Sequence, residues 1–169
     1  MLALEQSSAD PDLLYASKYN SSFFRCDNVN DASPVFINLT SQLPHSGLVK
    51  AIATHPTQPG TLWIIQDRKV FRSDNRGTTW TDITGNLPDI PLNTLVYYRR
   101  AVDGLYLGTD LGVFYRDYHT GDWMPFSNGL PYTAEITELE IWYDTLNGST
   151  DRIRASTYGR GLWESGLYE

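Results

Sequence analysis

Three arginines recur at similar places in the sequence and could bind a carboxylate if their side chains converged. Arg25, Arg72 and Arg116 each follow a short apolar run. A guanidinium group binds a carboxylate through paired hydrogen bonds, so three of them around one point would form an anion site. Equivalent positions in successive repeats radiate and do not converge. The pattern therefore favours exposed charge or packing as the role of these arginines.

Asp67, Asp110 and Glu138 are the carboxylates that the sequence places nearest to a central site. Hydrolysis of a glycosidic bond needs two carboxyl groups about 5–10 Å apart. No pair among the three is distinguished by its spacing, and Asp110 lies in a predicted turn, where Asp is a common turn former. The sequence predicts no catalytic residue; it favours a non-enzyme and leaves an enzyme open.

Metal and cofactor chemistry finds no support in the sequence. His45, His55 and His119 are scattered over predicted loops, and Cys26 is the single cysteine. Neither a zinc-type ligand cluster nor an EF-hand calcium loop is present, and no glycine-rich phosphate loop occurs. We expect neither a metal site nor a cofactor.

Four residues are the tentative ligand-binding candidates. Tyr158 and Arg160 lie in a glycine-flanked turn, where a ring and a guanidinium could hold a sugar or a peptide carboxylate. Tyr98 and Trp142 lie at the ends of two predicted strands and could line a rim that binds carbohydrate. Turn formation and packing are the alternative roles of these residues.

These candidates are carried by a repeat of about 44 residues. Its four copies share a first apolar run, a second run within about ten residues and, in three copies, a Leu-Pro closure. The first runs begin at Leu14, Leu62, Leu105 and Ile153, and the closures are at Leu43, Leu87 and Leu130. Repeats of this length built from short strands indicate a β-propeller with one four-stranded antiparallel blade per repeat.

The repeat predicts an all-β, partial propeller with blades at about 1–44, 45–88, 89–131 and 132–169. The fourth unit stops after its third strand, which leaves an unpaired strand edge. We therefore expect the chain to be the C-terminal part of a larger propeller. The alternative is a short chain that completes a ring by self-association.

Composition limits the classes of partner. The net charge of −7 and a pI near 4.8 argue against binding nucleic acid or an anionic membrane surface. No apolar segment approaches the length of a membrane span, and no signal peptide is visible.

The segment from Ser73 to Trp80 resembles the Asp-box, also called the bacterial neuraminidase repeat. It reads Ser-Asp-Asn-Arg-Gly-Thr-Thr-Trp, with Asn75 where the family has Asp. The resemblance implies a structural hairpin turn built by five residues, away from any central site. They are Ser73, Asn75, Gly77, Thr79 and Trp80. Two degenerate copies occur elsewhere. One begins at Cys26-Asp27-Asn28, with Ser33 in the place of the Trp, and the other retains Trp123.

The whole chain resembles sortilin-like or xyloglucanase-like propellers of large secreted Bacteroidetes surface proteins. The phrases that carry this resemblance run from Leu105 to Phe114 and from Ala155 to Trp163. The resemblance implies an extracellular or cell-surface setting without naming an activity. The intact turn motif and the lack of a catalytic constellation favour a non-catalytic segment that acts in adhesion or in carbohydrate or protein recognition. The expected partners are the remaining blades of a parent chain or a second copy. The alternative is a fragment of a xyloglucanase- or sialidase-like glycoside hydrolase with catalytic residues outside this chain.

Overall fold

The computed structural model describes residues 1–131, 133–145 and 150–168. These residues form four antiparallel β-sheets and one short 3₁₀ turn, Thr40–Gln42, so the all-β prediction is confirmed. No helix among them is long and apolar enough to span a lipid bilayer. The chain divides into two compact units, Met1–Gly85 and Asn86–Glu169.

The first unit contains two four-stranded sheets whose strands follow chain order. Sheet 1 is built from β1 (Ala3–Gln6), β2 (Leu14–Ser17), β3 (Phe23–Cys26) and β4 (Phe36–Asn38). Sheet 2 is built from β5 (Val49–Thr54), β6 (Leu62–Gln66), β7 (Lys69–Ser73) and β8 (Thr81–Asp82).

The second unit contains one four-stranded and one three-stranded sheet. Sheet 3 is built from β9 (Leu92–Tyr98), β10 (Gly104–Thr109), β11 (Gly112–Arg116) and β12 (Met124–Pro125). Sheet 4 is built from β13 (Ile136–Trp142), β14 (Arg152–Thr157) and β15 (Gly161–Gly166), with β15 at its edge.

The sequence pattern explains why the second strands lie at the centre of the sheets. Every residue of β6 and of β10 is buried, as expected of a strand with apolar side chains on both faces. Strand β14 differs, because its arginines alternate with Ile153 and Ala155 and only the apolar residues are buried. One face of sheet 4 is therefore polar.

Each unit has a core between its two sheets. In the first unit Tyr15 and Phe23 of sheet 1 pack with Ile52, Ile64 and Phe71 of sheet 2. In the second unit Tyr106 and Tyr115 of sheet 3 belong to one cluster with Leu139, Ile153 and Ala155 of sheet 4. Burial of this apolar area is the main force that holds the paired sheets together.

The outer strands are shorter than the sequence indicates. The repeat predicts outer strands over residues 35–40, 80–84 and 123–127, whereas the structure has β4, β8 and β12, each of two or three residues. The flanking residues bond to turns and to side chains, as where Thr84 Oγ1 accepts a hydrogen bond from the Val70 N–H. Short outer strands leave little free backbone at a sheet edge.

Candidate functional site

The turn between β7 and β8 is closed by side-chain hydrogen bonds. The Oγ of Ser73 accepts hydrogen bonds from the backbone N–H groups of Asn75 (3.3 Å) and Gly77 (2.9 Å). The Oδ1 of Asn75 accepts one from the N–H of Thr79 at 2.8 Å. Gly77 has a φ of +81°, a conformation that glycine adopts without strain. The amide of Asn75 thus performs the turn-closing role of a carboxylate without a charge.

The same turn holds sheet 2 against sheet 1. The carbonyl oxygen of Arg76 accepts a hydrogen bond from Nη1 of Arg25 at 2.9 Å. The guanidinium of Arg76 lies 3.1 Å from Asp27 Oδ1 and 3.2 Å from Asp10 Oδ2. Trp80 packs against the core of the unit, with its ring centroid 6.1 Å from that of Phe23. These contacts give the segment a structural role.

Sheet 1 closes its own outer turn through a similar contact, with a longer loop. The Oδ1 of Asn28 accepts a hydrogen bond from the N–H of Val35 at 2.9 Å. Cys26 pairs with Phe36, and Arg25 pairs with the next residue along, Ile37. In sheet 2 Arg72 pairs with Thr81, the residue after Trp80. Phe36 therefore corresponds to Trp80. The assignment of Ser33 to the Trp80 position was wrong, because the loop is three residues longer.

Sheet 3 also has a tryptophan before its outer strand. Met124 pairs with Tyr115 as Thr81 pairs with Arg72, so Trp123 corresponds to Trp80. Its turn is closed by Asp117, whose Oδ1 accepts hydrogen bonds from the N–H groups of His119 and Thr120 at 2.8 and 2.7 Å. The three arginines therefore do not occupy one position, since Tyr115 of sheet 3 corresponds to Arg72 and Arg116 is one residue further on.

Three of the four tentative ligand-binding residues lie at the two opposite ends of sheet 4. The fourth, Tyr98, lies at the end of β9 in sheet 3. Tyr158 and Arg160 are in the turn between β14 and β15, and the Tyr158 side chain is 75% exposed. Trp142 pairs with Arg152 at the other end of β14 and is 47% exposed. At about 3.3 Å per residue, the length of β14 separates the two ends by roughly 17 Å.

Tyr98 is a packing residue in this structure. Its ring lies 6.0 Å from that of Tyr106 and is stacked on that of Tyr143 at 6.4 Å. Tyr143 in turn carries the guanidinium of Arg99 at 3.8 Å from its ring centroid. Of the four candidates, Tyr98 is therefore the least accessible to a ligand.

An ion pair beside this aromatic group was not found from the sequence. Arg100 binds the buried carboxylate of Asp151, whose Oδ1 also accepts a hydrogen bond from the N–H of Asp144 at 2.8 Å. These hydrogen bonds lower the pKa of Asp151. The two charged residues are 51 positions apart, and a single sequence offers no periodic signal for such a pair.

Perturbed carboxyl groups elsewhere also have structural partners. Hydrogen bonds from Thr120, Tyr115 and His119 outweigh burial and lower the pKa of Asp117. Burial raises the pKa of Glu5, although the hydroxyl of Thr54 donates to it at 3.1 Å. Among the described residues no cluster of three His, Cys, Asp or Glu side chains could hold a metal ion.

Asp67, Asp110 and Glu138 each have a local partner or turn in the structure. Asp110 Oδ1 accepts a hydrogen bond from Asn93 Nδ2 at 2.8 Å, and Glu138 Oε1 accepts one from Thr94 at 3.0 Å. Asp67 has a φ of +57° in the β6–β7 turn. In the described geometry the first two serve local hydrogen bonding and the third serves a tight turn.

One row of directly paired residues across each sheet shows how sheet 4 differs. Directly paired residues of antiparallel strands lie on the same face. The rows are Glu5–Tyr15–Arg25, Ala53–Trp63–Arg72, Val96–Tyr106–Tyr115 and Glu140–Arg154–Glu164. Sheets 1 to 3 thus have an aromatic ring at the centre of the row. Sheet 4 has an arginine between two glutamates, and Arg154 Nε lies 2.7 Å from Glu164 Oε2.

An open cavity of about 610 Å³ lies between sheets 3 and 4 of the second unit. Its lining comes from β11, β12 and the segment after β12 on one side and from sheet 4 with the residues after it on the other. Apolar and aromatic side chains dominate, among them Phe126, Leu130 and Trp163. This volume is in the range, about 300–1,000 Å³, of sites that hold small ligands.

Comparison with solved structures relates the chain to glycoside hydrolases by fold. The chain is similar to the GH74 xyloglucanase from Xanthomonas campestris, with a TM-score of 0.68 and 15% sequence identity over 96% of this chain. It is also similar to an ancestral GH74 enzyme, with a TM-score of 0.64 and 11% identity over 97% of this chain. The chain spans 28% and 25% of the lengths of these two proteins.

These similarities show the fold: the four sheets are blades of a partial β-propeller, as the repeat predicts. No protein-family model matches the sequence, and no curated protein matches it. At such low identity the likeness carries no residue role from those enzymes to this chain.

Proposed function

We propose that this chain is a non-catalytic part of a secreted or cell-surface β-propeller and that it recognises carbohydrate. The observation that carries the proposal is the polar face of sheet 4, which has an exposed aromatic residue at each end. Trp142 and Tyr158 are 47% and 75% exposed, and the ion-paired row of Arg154 and Glu164 lies between them. Adhesion to a protein surface is the related role that the sequence analysis also favours.

The chemistry of this face suits an extended polysaccharide. The apolar face of a sugar ring packs on an aromatic ring, and its hydroxyl groups exchange hydrogen bonds with carboxylates and guanidinium groups. A platform of roughly 17 Å between the two aromatic residues can contact several consecutive sugars. Arg160, in the same turn as Tyr158, supplies a further donor. Because the structural neighbours include a xyloglucanase, xyloglucan is the first polysaccharide to test.

The test is affinity electrophoresis of the purified chain in gels with and without xyloglucan. We expect the polysaccharide to retard the chain and Trp142→Ala or Tyr158→Ala to weaken binding about tenfold, which is about 1.4 kcal/mol. Tyr118→Ala is the matched control, since Tyr118 is 71% exposed in the loop after β11. Equal retardation of all variants, or none with any β-glucan, would contradict the proposal.

The alternative function is that of a glycoside hydrolase segment. One observation favours it: burial raises the pKa of Glu5, and a general acid needs a carboxyl group of raised pKa. Release of reducing sugars from xyloglucan, abolished in Glu5→Gln, would establish this alternative. Absence of release, together with binding, would leave the recognition role.

We also infer that residues 73–80 are an Asp-box with Asn75 in the acidic position. The hydrogen bonds of Ser73 and Asn75, the positive φ of Gly77 and the packing of Trp80 support this inference. An extracellular or cell-surface location, of the kind found in secreted Bacteroidetes proteins, belongs to the same proposal. So do the expected partners, which are further blades of a parent chain or a second copy.

A further inference from the structure

A continuous row of tyrosine rings runs through the second unit. The ring centroid of Tyr143 lies 6.4 Å from that of Tyr98, which lies 6.0 Å from that of Tyr106. Tyr106 is 4.8 Å from Tyr115, and the ring of Tyr115 is stacked on that of Tyr168 at 4.5 Å. Each ring is therefore in aromatic contact with the next. We call these five residues the tyrosine chain.

The paired sheets do not by themselves require the tyrosine chain. In sheet 1, Tyr15 and Arg25 form the directly paired positions that Tyr106 and Tyr115 form in sheet 3. The first unit builds its core between two sheets with an arginine at the second of these positions. Packing of the fold alone therefore does not explain the tyrosine at position 115.

The hydroxyl group of Tyr115 has a carboxylate as its partner. It donates a hydrogen bond to Oδ2 of Asp117 at 2.8 Å, and both side chains are buried. The N–H groups of His119 and Thr120 donate to Oδ1 and fix the orientation of this carboxylate. Although burial opposes the effect, hydrogen bonds from Thr120, Tyr115 and His119 lower the pKa of Asp117, so the group is ionised at neutral pH. Asp117 is thus a base within the distance that a proton transfer needs.

Two other members of the tyrosine chain have partners that do not take up a proton at neutral pH. The hydroxyl of Tyr106 accepts a hydrogen bond from the N–H of Tyr168 at 2.7 Å, and that of Tyr143 donates to the carbonyl oxygen of Tyr97 at 3.2 Å. Loss of an electron makes a phenol strongly acidic, and a buried radical cation that keeps its proton is an unpaired charge in an apolar interior. Tyr115 can release this proton to its carboxylate partner, so it loses an electron more easily than these two residues.

We propose that Tyr115 is a redox-active residue and that the tyrosine chain carries oxidising equivalents between it and the surface. A radical oxidant removes one electron through Tyr168, which is 37% exposed and stacked on Tyr115. The O–H bond of Tyr115 breaks, its proton moves to Asp117 Oδ2, and a neutral phenoxyl radical remains on Tyr115. An external thiol then returns one electron, and the proton moves back from Asp117 to the phenol oxygen. One electron thus passes from the thiol to the oxidant, and the protein is unchanged.

The activity is protection against one-electron oxidants. The oxidising equivalent is held on a buried ring that a reductant can restore, so no side chain is lost. This role does not depend on carbohydrate recognition, and failure of either proposal leaves the other standing.

The test is flash photo-oxidation of the full chain with tris(bipyridine)ruthenium, with persulfate as the electron acceptor, followed by electron paramagnetic resonance. Radicals on surface tyrosines such as Tyr19 and Tyr118, which are 70% and 71% exposed, are lost by coupling between molecules, so the signal that outlives them reports a buried ring. We expect a long-lived phenoxyl signal from the wild type and at least about tenfold less from Tyr115→Phe, because the positioned base serves that hydroxyl. Tyr15→Phe is the matched control and should keep the wild-type signal, since the buried hydroxyl of Tyr15 has no hydrogen-bond partner among the described residues.

A further variant tests the proton acceptor. Asp117→Asn keeps an oxygen for the two N–H groups but cannot take up the proton, and we expect it to lower the long-lived signal about tenfold. Circular dichroism checks the fold of each variant, and the pair Tyr115→Phe and Tyr15→Phe decides the outcome alone if Asp117→Asn does not fold. The proposal is overturned if the wild type gives no long-lived phenoxyl signal, if that signal survives in Tyr115→Phe or in folded Asp117→Asn, or if Tyr15→Phe loses it equally.

Discussion

The two units fill the space between their paired sheets in different ways. In the first unit the indole ring of Trp80, just before the outer strand β8, packs against the apolar cluster. In the second unit an open cavity of about 610 Å³ lies between sheets 3 and 4 beside β15. The comparison teaches that the residue just before an outer strand contributes to the packing between two sheets as well as to its own turn.

The largest expected effect is that of removing the indole from the first unit. Trp80→Ala should destabilise the chain by about 3 kcal/mol, because deletion of a packed aromatic ring leaves a cavity that the surroundings cannot fill. Trp163→Ala, beside the existing cavity and 37% exposed, should cost less than about 1 kcal/mol. Urea denaturation of both variants measures the difference. Equal losses would show that the two sites do not differ in packing.

The outer turns offer a second comparison, since sheet 2 uses neutral groups and sheet 3 a carboxylate. Asp117→Ala should cost about 2 kcal/mol at neutral pH, because two N–H groups and the Tyr115 hydroxyl lose their acceptor. Asn75→Ala should cost about 1 kcal/mol, because its hydrogen bonds with Ser73 and Thr79 join neutral groups, which contribute less than bonds to a charged carboxylate. The comparison fails if Asn75→Ala proves the more damaging.

Acid should destabilise only the turn of sheet 3, which the carboxylate of Asp117 closes. The folded-state pKa of Asp117 is lowered, so its stabilising contribution is complete above the ordinary Asp pKa of about 3.9 and is lost as the pH falls through the lower folded value. The stability advantage of the wild type over Asp117→Ala should therefore shrink below about pH 4. The advantage over Asn75→Ala should not change with pH, because no titrating group closes that turn.

Much of this architecture follows from the sequence. The repeat predicts the order of strands in each sheet, because apolar runs and Leu-Pro closures recur in register. The prediction that Ser33 takes the place of the tryptophan was wrong, because the loop is three residues longer and places Phe36 opposite Cys26. Arg116 lies one residue beyond the position of Arg72, which Tyr115 occupies in sheet 3. Because a shift of one residue reverses the face of a strand, Arg116 is not equivalent to the other two arginines.

The candidate site was harder to predict than the fold. Exposure of Trp142 and packing of Tyr98 depend on neighbours about 45 residues away, which a strand pattern does not specify. The cavity was not predicted, because it depends on how sheets 3 and 4 pack against each other. What the sequence lacks is the register that places the cavity against Ser165.

A smaller effect concerns Gly77, which packs closely against Leu39 and Trp80. Gly77→Ala requires an L residue at a φ of +81° and brings a methyl group to 3.2 Å from Leu39 Cδ1. Gly121→Ala imposes similar backbone strain at a φ of +67° with nothing within 4 Å. We expect each to cost about 1–2 kcal/mol, with Gly77→Ala the larger by a few tenths. A larger cost at Gly121 would contradict close packing of the Gly77 turn against Leu39 and Trp80.

The smallest expected effect is that of Glu5→Gln. The raised pKa of Glu5 means that the folded state disfavours its ionised form at neutral pH, and this cost disappears as the pH falls below the ordinary Glu value of about 4.3. The amide can still accept the hydrogen bond from Thr54. Glu5→Gln should thus leave stability unchanged or raise it slightly at pH 7. A clear loss would show that the carboxylate itself is needed.

The most direct test of the proposed recognition surface is hydrogen exchange of the chain with and without xyloglucan. Binding at the polar face of sheet 4 should slow exchange there, because a bound polysaccharide suppresses local opening of the strands beneath it. We predict slower exchange confined to sheet 4 and the turn that carries Tyr158. Unchanged exchange in sheet 4 at saturating polysaccharide would contradict the claim that this face binds carbohydrate.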